Sequence, residues 1–205
     1  MTKIYLVRHG ETTWNADARA QGSKDVALSE RGRLQAQLLA KRMKNYHIDH
    51  IFSSDLIRAY ETASIIAGGF QSEVNQIHGF REMSFGEWEG LTNDEIKQNY
   101  DTHFKIWRSQ PHKAQIPGGE MLLDVQKRGL QALHQLVNQY EGQSILIVSH
   151  GTALKAILLG LLDIDLSYFY KIRQDNTCIN LVEFRDYGPV VVTLNDTAHT
   201  ENILY

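Results

Sequence analysis

Two apolar runs in this chain end alike. Lys3-Ile4-Tyr5-Leu6-Val7 leads into Arg8-His9-Gly10-Glu11-Thr12, and Ser144-Ile145-Leu146-Ile147-Val148 leads into Ser149-His150-Gly151. Each is a β-type run followed by a histidine and by a glycine that frees the backbone to turn. The carboxyl ends of parallel strands converge on one crevice, so His9 and His150 are expected to meet although they lie far apart in sequence. Arg8 stands beside the first histidine, and Arg58 lies in the first turn after a further strand-like run, Ile48 to Phe52. An anion in that crevice would find two guanidinium forks suited to phosphate oxygens, together with N–H groups at helix N-termini. The same positive charges disfavour a further cation and keep His9 neutral. A neutral imidazole with one nitrogen fixed by a carbonyl leaves the other free as a nucleophile. That is the chemistry of phosphoryl transfer onto imidazole. A lone histidine at a strand end would more simply be satisfied by local hydrogen bonds; the two arginines and the second histidine are what favour chemistry here.

The elements that must position these groups alternate along the chain. Ser29 can cap a helix to about Asn45, with Leu34, Leu38, Leu39 and Met43 along one side and Gly32 awkwardly placed in its first turn. Asp55 can cap a second, carrying Arg58, Ala59, Thr62, Ile65 and Ile66 until Gly68-Gly69 stops it. A short strand is expected near Val74 to Ile77. From Gly79 to Gly119 the pattern loosens and becomes aromatic; Thr92-Asn93-Asp94-Glu95 has the spacing of a capping box, and Pro111 and Pro117-Gly118-Gly119 break the helix off. A long helix from about Glu120 to Tyr140 feeds the 144–148 strand, and another through Leu154, Ile157, Leu158 and Leu161 follows it. Cys178 to Phe184 and Val190 to Leu194, joined through Asp186-Tyr187-Gly188-Pro189, read as a closing hairpin. The expected class is α/β: a mostly parallel sheet flanked by helices on both faces, one domain over 1–205, with a small helical lid insertion at about 79–119.

At 205 residues the chain is long enough for one sizeable core. Its net charge of -3 comes with no polybasic stretch, which excludes nucleic acid and anionic lipid as expected partners. Cys178 is the single cysteine, so no disulfide can form within the chain. The N-terminal apolar run is too short for a signal segment, and the Ala153 to Leu162 stretch is interrupted by Lys155 and too short to span a bilayer. A soluble, cytoplasmic protein without membrane contact is expected. His47 and His50 have one-turn spacing, but no carboxylate or cysteine completes a metal site, and a solvated pair is the simpler reading.

Arg8-His9-Gly10-Glu11-Thr12 with Asn15, Gln21-Gly22, the run Ser53-Ser54-Asp55-Leu56-Ile57-Arg58-Ala59, Arg81-Glu82 and Ser149-His150-Gly151 closely resemble the histidine phosphatase superfamily, the phosphoglycerate-mutase-like group. The matches fall in family order across nearly the whole chain. Asn176-Thr177-Cys178 and Leu194-Asn195-Asp196-Thr197-Ala198-His199 are similar to its short bacterial phosphatase branch. The resemblance implies that His9 is the phosphorylated nucleophile and that Arg8, Arg58 and His150 bind the phosphate. It further implies that Asn15, Gln21, Gly22 and Gly151 contribute to substrate binding, that Glu82 is the proton donor, and that neither metal nor other cofactor takes part. The leaving alkoxide needs a proton, which a carboxylic acid supplies when its pKa is raised toward neutrality. Phe80, Phe85 and Trp88 are expected to desolvate Glu82, and the phosphate dianion to add like-charge pressure. Without the family, an ion pair with Arg81 is an equal reading of Glu82, and Glu87 and Glu89 are rival acids. Thr152 and Lys155 stand where many relatives have a glycine and an arginine, so the substrate end is expected to differ there. Met121 replaces a serine often found after Pro-Gly-Gly-Glu, a modest capping loss.

Hydrolysis of a phosphomonoester of a small metabolite is the favoured activity. A phosphoglycerate mutase, the alternative, wants a closing lid and extra basic groups for a second anionic end. The Gly90–Glu120 segment instead sets Lys97, Lys105, Arg108 and Lys113 against Asp94, Glu95, Asp101 and Glu120. It also looks shorter than the corresponding insertion of cofactor-dependent glycolytic mutases. An α-ribazole phosphatase, or action on phosphoglycerate, phosphoserine or a broad range of esters, stays open. Tyr100, Phe104 and Trp107, with Phe85 and Trp88, either face a substrate with an apolar portion or pack a small core of their own. A non-catalytic phosphate-binding module is disfavoured, because a mere anion site needs no proton donor. Oligomeric state is open, a homodimer included; the hairpin and the Leu-rich 154–162 helix each suit core or interface, core being favoured.

Overall fold

The computed structural model describes residues 1–70 and 72–203. Strand β1 (Thr2–Arg8) is followed by helices α1 (Thr13–Ala16) and α2 (Glu30–Met43), then β2 (His50–Ser53), α3 (Ile57–Ala67) and β3 (Val74–Gln76). Helices α4 (Asn93–Asn99) and α5 (Asp101–Ser109) lie among the 3-10 turns His78–Phe80, Gly86–Trp88 and Pro111–Lys113. Then come α6 (Leu122–Gln139), β4 (Ser144–Ser149), α7 (Gly151–Leu161), a 3-10 segment at Leu166–Lys171, and the hairpin β5 (Ile179–Arg185) and β6 (Gly188–Asp196). Among the described residues no helix is long and apolar enough to cross a membrane.

The sheet runs β3-β2-β4-β1-β5-β6, parallel from β3 to β1 and antiparallel through β5 and β6. Side chains alternate along each strand, and the two halves of that alternation make two cores. Ile4, Leu6, Phe52, Ile145 and Ile147 pack with Leu122, Val125, Leu133 and Leu136 of α6 and Leu154, Ile157 and Leu158 of α7. Tyr5, Val7, Ile51, Leu146 and Val148 pack with Leu39 and Met43 of α2 and Ala59, Ala63 and Ile66 of α3. Every residue of β4 is buried, which is why that run shows no polar alternation. The chain therefore leaves β1 toward α2 on one face and leaves β4 toward α7 on the other. Two neighbouring parallel strands whose connections diverge in this way open a crevice at their carboxyl ends. The register pairs Arg8 with Ser149, so His9 and His150 each emerge one residue beyond the paired ends.

Several local expectations are corrected. Leu34 is 43% exposed, and its place toward the core is taken by Gln35, whose Oε1 accepts from Glu11 N at 2.8 Å. Ser29 does cap α2 through Gly32 N, and the awkward glycine has a reason: a Cβ at Gly32 would lie 1.9 Å from Glu11 O. Asp55 is not the cap of α3. The N-cap of that helix is Leu56, which offers no side-chain cap, Asp25 accepts from Ile57 N, and Asp55 pairs with Arg81 at 2.7 Å. The Thr92–Glu95 capping box is present. At Met121 half of one survives, with Asp124 Oδ2 accepting from Met121 N at 3.3 Å. Helix α7 is core, whereas β6 forms a sheet edge with Val192 and Leu194 exposed.

Helix α2 thus presses its first turn onto the backbone that follows His9, and only a residue without Cβ fits. Gly32→Ala is expected to destabilise the protein by at least about 1–3 kcal/mol, the usual range for overpacking, seen as a lower urea midpoint at unchanged slope. A midpoint equal to that of the parent would mean that the 10–11 turn can move aside freely.

Candidate active site

His9 is fixed from three directions. Its N–H donates to Ser149 O at 3.0 Å, and Thr177 N donates to Arg8 O at 3.0 Å. Asn176 Nδ2 donates to His9 O at 3.1 Å. From α3, Thr62 Oγ1 accepts from Gly10 N and itself donates to Arg58 O. The His9 ring sits with Nδ1 2.6 Å from Gly10 O. A carbonyl only accepts, so Nδ1 carries the proton and Nε2 keeps its lone pair. The His150 ring lies 5.1 Å from it, centroid to centroid. His9 is 2% exposed and His150 fully buried. Burial, followed by the charges of Arg58 and Arg8, pushes His9 well below the usual imidazole range. Burial and Arg58, with His9 and Arg8 behind them, do the same to His150.

The two arginines are held by backbone carbonyls. Arg58, fully buried, donates from Nη1 to Lys24 O and from Nη2 to Gly22 O, each at 2.7 Å. Burial presses it down to about 10, which leaves it charged at neutral pH. Arg8 donates from Nη1 to Gln174 O at 2.7 Å. Gln174 is in turn locked to Asn180 by a reciprocal amide pair at 2.8 and 2.7 Å, and Asn180 Nδ2 also reaches Leu6 O. Among the buried polar atoms without a hydrogen bond, five belong to this neighbourhood: Arg8 Nε, Arg58 Nε, Gln21 Oε1 and both ring nitrogens of His150. A buried orphan polar group costs about 1–3 kcal/mol, and five at one place mark a site for a ligand that would satisfy them. A cavity of about 280 Å³ is lined by Arg8, His9, Asn15, Gln21, Gly22, Arg58, Glu82 and Gly151. The residues expected as nucleophile, proton donor, phosphate binders and substrate binders thus line one cavity, except His150, which is packed against His9.

The helix N-termini divide their donors. In the first turn of α7, Thr152 N and Ala153 N donate to the Glu82 carboxylate at 3.1 and 3.0 Å, while Gly151, the first residue of that helix, lines the cavity itself. In α2 Gly32 N is bound by Ser29, and in α3 Ile57 N by Asp25.

Glu82 is 9% exposed. Besides the two α7 donors its Oε1 accepts from Met83 N at 2.9 Å, while Arg81 turns away to Asp55. An Arg81–Glu82 ion pair is therefore not formed. Of the three rings expected around it, only Phe85 shares the cavity. Phe80 is in the main core, its carbonyl accepting from Ser149 Oγ. Trp88 packs among Tyr100, Phe104 and Trp107. The rival acids have other tasks: Glu87 accepts from Tyr100 OH, and Glu89 Oε1 from Ser23 N, Ser23 Oγ and Phe85 N. Glu89 thereby ties the 21–23 turn to the aromatic segment. Gly22 has φ +54°, and a Cβ there would lie 2.1 Å from Glu89 Oε1.

Most of the aromatic segment packs against itself, but Phe85 and Trp107 reach the cavity, where Phe169 joins them 5.5 Å from Trp107. Lys155 also lines this end, its Nζ 4.7 Å above the Phe169 ring. Burial and then Arg8 lower its pKa. Arg19 lines the wall while bound to Gly90 O and Glu95. Phe169, Gln174 and Arg19 belong to no motif read in the sequence; the Tyr168-Phe169-Tyr170 cluster is the one signal that could have drawn attention to that segment. His47 pairs with Asp49 and His50 with Gln143. Among the described residues no cluster of three His, Cys, Asp or Glu is arranged to hold a metal.

The chain matches the family model of the histidine phosphatase superfamily (branch 1) over residues 4–197. It is 37% identical to phosphoserine phosphatase 1 of Hydrogenobacter thermophilus over 199 residues, 97% of this chain and 94% of that one. It is 35% identical to a probable phosphoglycerate mutase of Yersinia pestis, covering 98% and 96% of the two chains. A solved structure of a phosphoserine phosphatase mutant from Entamoeba histolytica in complex with phosphoserine shares 38% identity at a TM-score of 0.89, over 97% of this chain and 99% of that one.

The depressed imidazoles carry a consequence for stability. Above pH 6.5 His9 and His150 are neutral in both folded and unfolded chains. Below it the unfolded chain takes up protons that the fold refuses, so stability is expected to fall with pH. The slope is about 1.4 kcal/mol per pH unit for each histidine, until its folded pKa is reached. His199, which burial pushes down to about 4, acts in the same direction. Urea unfolding between pH 7.5 and 5 measures this, and His150→Gln should flatten the slope by one proton. An unchanged slope would show that His150 is already protonated in the fold.

Proposed function

This chain belongs to the histidine phosphatase superfamily, and we propose that it hydrolyses phosphomonoesters of small metabolites through a phosphohistidine on His9. The observation that carries the reading is a buried neutral imidazole, Nε2 free, beside two arginines, Arg58 fully buried and Arg8 half-buried, whose buried Nε groups lack partners. His9 Nε2 attacks phosphorus as the ester P–O bond breaks. Arg8, Arg58 and His150 hold the non-bridging oxygens, where the charge of the transition state is spread, with Asn15, Gln21, Gly22 and Gly151 lining the same cavity. The Nδ1–H bond to Gly10 O fixes the tautomer and supports the cationic phosphohistidine. Glu82 gives its proton to the leaving alkoxide, which departs as the free alcohol. Glu82 then takes a proton from water, whose oxygen attacks phosphorus. The P–N bond breaks, neutral His9 is restored and inorganic phosphate leaves. No step calls on a metal.

For the substrate we favour a phosphorylated hydroxy acid or amino acid, O-phosphoserine first. The supports are two similar phosphoserine phosphatases and Lys155, a half-buried cation at the cavity wall with no carboxylate partner among the described residues. The mutase alternative has a similar protein behind it. It is disfavoured because the bases around the aromatic segment are spent locally, in Arg19–Glu95, Lys105–Asp101 and Arg128–Glu120 pairs. Residues 79–119 are proposed as the lid of a single domain over 1–205. Cytoplasmic residence belongs to the same reading, in keeping with one buried cysteine whose thiol burial pushes up to about 11.

His9→Ala is expected to abolish hydrolysis of p-nitrophenyl phosphate in the presence of a chelator, and Glu82→Gln to lower alkyl ester hydrolysis by roughly 10²–10⁴. Full activity in the His9 variant would sink the nucleophile assignment. An acid-labile, base-stable phosphoenzyme should release inorganic phosphate in water. Preferential transfer to 3-phosphoglycerate would make the protein a mutase. Lys155→Met is expected to raise KM for O-phosphoserine about tenfold more than for p-nitrophenyl phosphate, the size of one lost charged contact. Equal effects on both esters would remove Lys155 from substrate recognition.

A further inference from the structure

Arg128 projects from α6 and does not line the cavity, yet all five of its N–H donors are used. Nε donates to Glu120 Oε1 at 2.9 Å; Nη1 donates to Gly79 O at 2.9 Å and Arg81 O at 2.7 Å; Nη2 donates to Glu82 O at 3.0 Å and Glu120 Oε2 at 3.1 Å. Glu120 extends the grip, its Oε2 accepting from Ser84 N at 2.8 Å and its own N–H donating to Ser84 O at 2.9 Å. One planar ion pair therefore holds the backbone at residues 79, 81, 82 and 84, on both sides of Glu82. The pair is mostly out of solvent, with side chains 21% and 30% exposed. Helix α6 comes this close because residue 79 is glycine: a Cβ there would lie 2.7 Å from Ala132 Cβ. The other end of Glu82, its carboxylate, is held by the first turn of α7. Backbone and carboxylate are thus anchored to two different helices.

We infer that the Arg128–Glu120 pair is a positioning device for the proton donor, setting where the Glu82 carboxyl meets the leaving oxygen. It rests on the donor role proposed for Glu82. A lysine cannot replace the arginine, since an ammonium has three donors and no planar fork. Loss of the pair slows proton delivery while leaving attack by His9 and binding by Arg8 and Arg58 in place. A displacement of about 1 Å is enough for a large effect on such a transfer.

Rapid-quench measurement of phosphoenzyme formation with two esters tests this. O-phosphoserine expels an alkoxide that needs a proton; 2,4-dinitrophenyl phosphate expels a phenolate that does not. Arg128→Lys is expected to lower the phosphoserine rate relative to the aryl rate by on the order of tenfold or more. Glu120→Gln should act in the same direction by a smaller factor, and it carries the comparison if the lysine variant does not fold. General loosening of the structure would slow both esters alike, and an unchanged ratio in the folded variants overturns the inference. Glu82→Gln calibrates the assay. If it too leaves the ratio unchanged, the donor assignment itself fails and the positioning role falls with it. If it alone changes the ratio, only the role of the pair is lost.

Discussion

Two guanidinium groups share one buried crevice, and much of the surrounding structure is what makes that tolerable. Arg8 and Arg58 repel each other and have given up water. Carbonyls of Gln174, Lys24 and Gly22 replace part of that hydration. The nearby imidazoles stay neutral, so no third and fourth cation is added. Glu82 sets its carboxyl group in the same cavity, held by backbone donors of α7 rather than by either arginine. The remaining positive potential, with donors left over, is a site preorganised for a dianion before one arrives.

The sheet supplies the precision. Parallel pairing of β1 with β4 sets Arg8 opposite Ser149, and a shift of one residue would send one histidine to the wrong face. That register is defended by both cores at once, because Ile4 and Leu6 look one way and Tyr5 and Val7 the other. Packing energy distributed over two layers is thereby converted into the placement of two rings.

The fold and the central constellation were legible because they depend on local patterns. Strand periodicity, the glycine after each histidine and the Thr92–Glu95 box each act within a few residues. Asp55 shows where such reading stops: an acid just before a helix looks like a cap, and only its distance from Arg81 in space decides otherwise. Phe80 and Trp88 near Glu82 in sequence suggested a greasy pocket, but the chain turns them into the core and brings backbone N–H groups from residues 152 and 153 instead. Phe169 and Gln174 reach the cavity from a segment without periodicity. Arg128 sits on an amphipathic helix where any arginine would pass as solvated. Contacts between segments far apart in the chain leave no local trace.

The reciprocal amide pair between Gln174 and Asn180 shows how such contacts constrain the way this sequence can drift. Each amide gives one N–H to the other and takes one in return, in a buried setting where neither has water as a substitute. Replacing either alone strands a donor or an acceptor on the survivor, whereas replacing both together need not. The carbonyl of Gln174 carries Arg8. Two buried, uncharged side chains are therefore energetically coupled, so losing both is expected to cost less than the sum of losing each, and through the Gln174 carbonyl that coupling reaches Arg8.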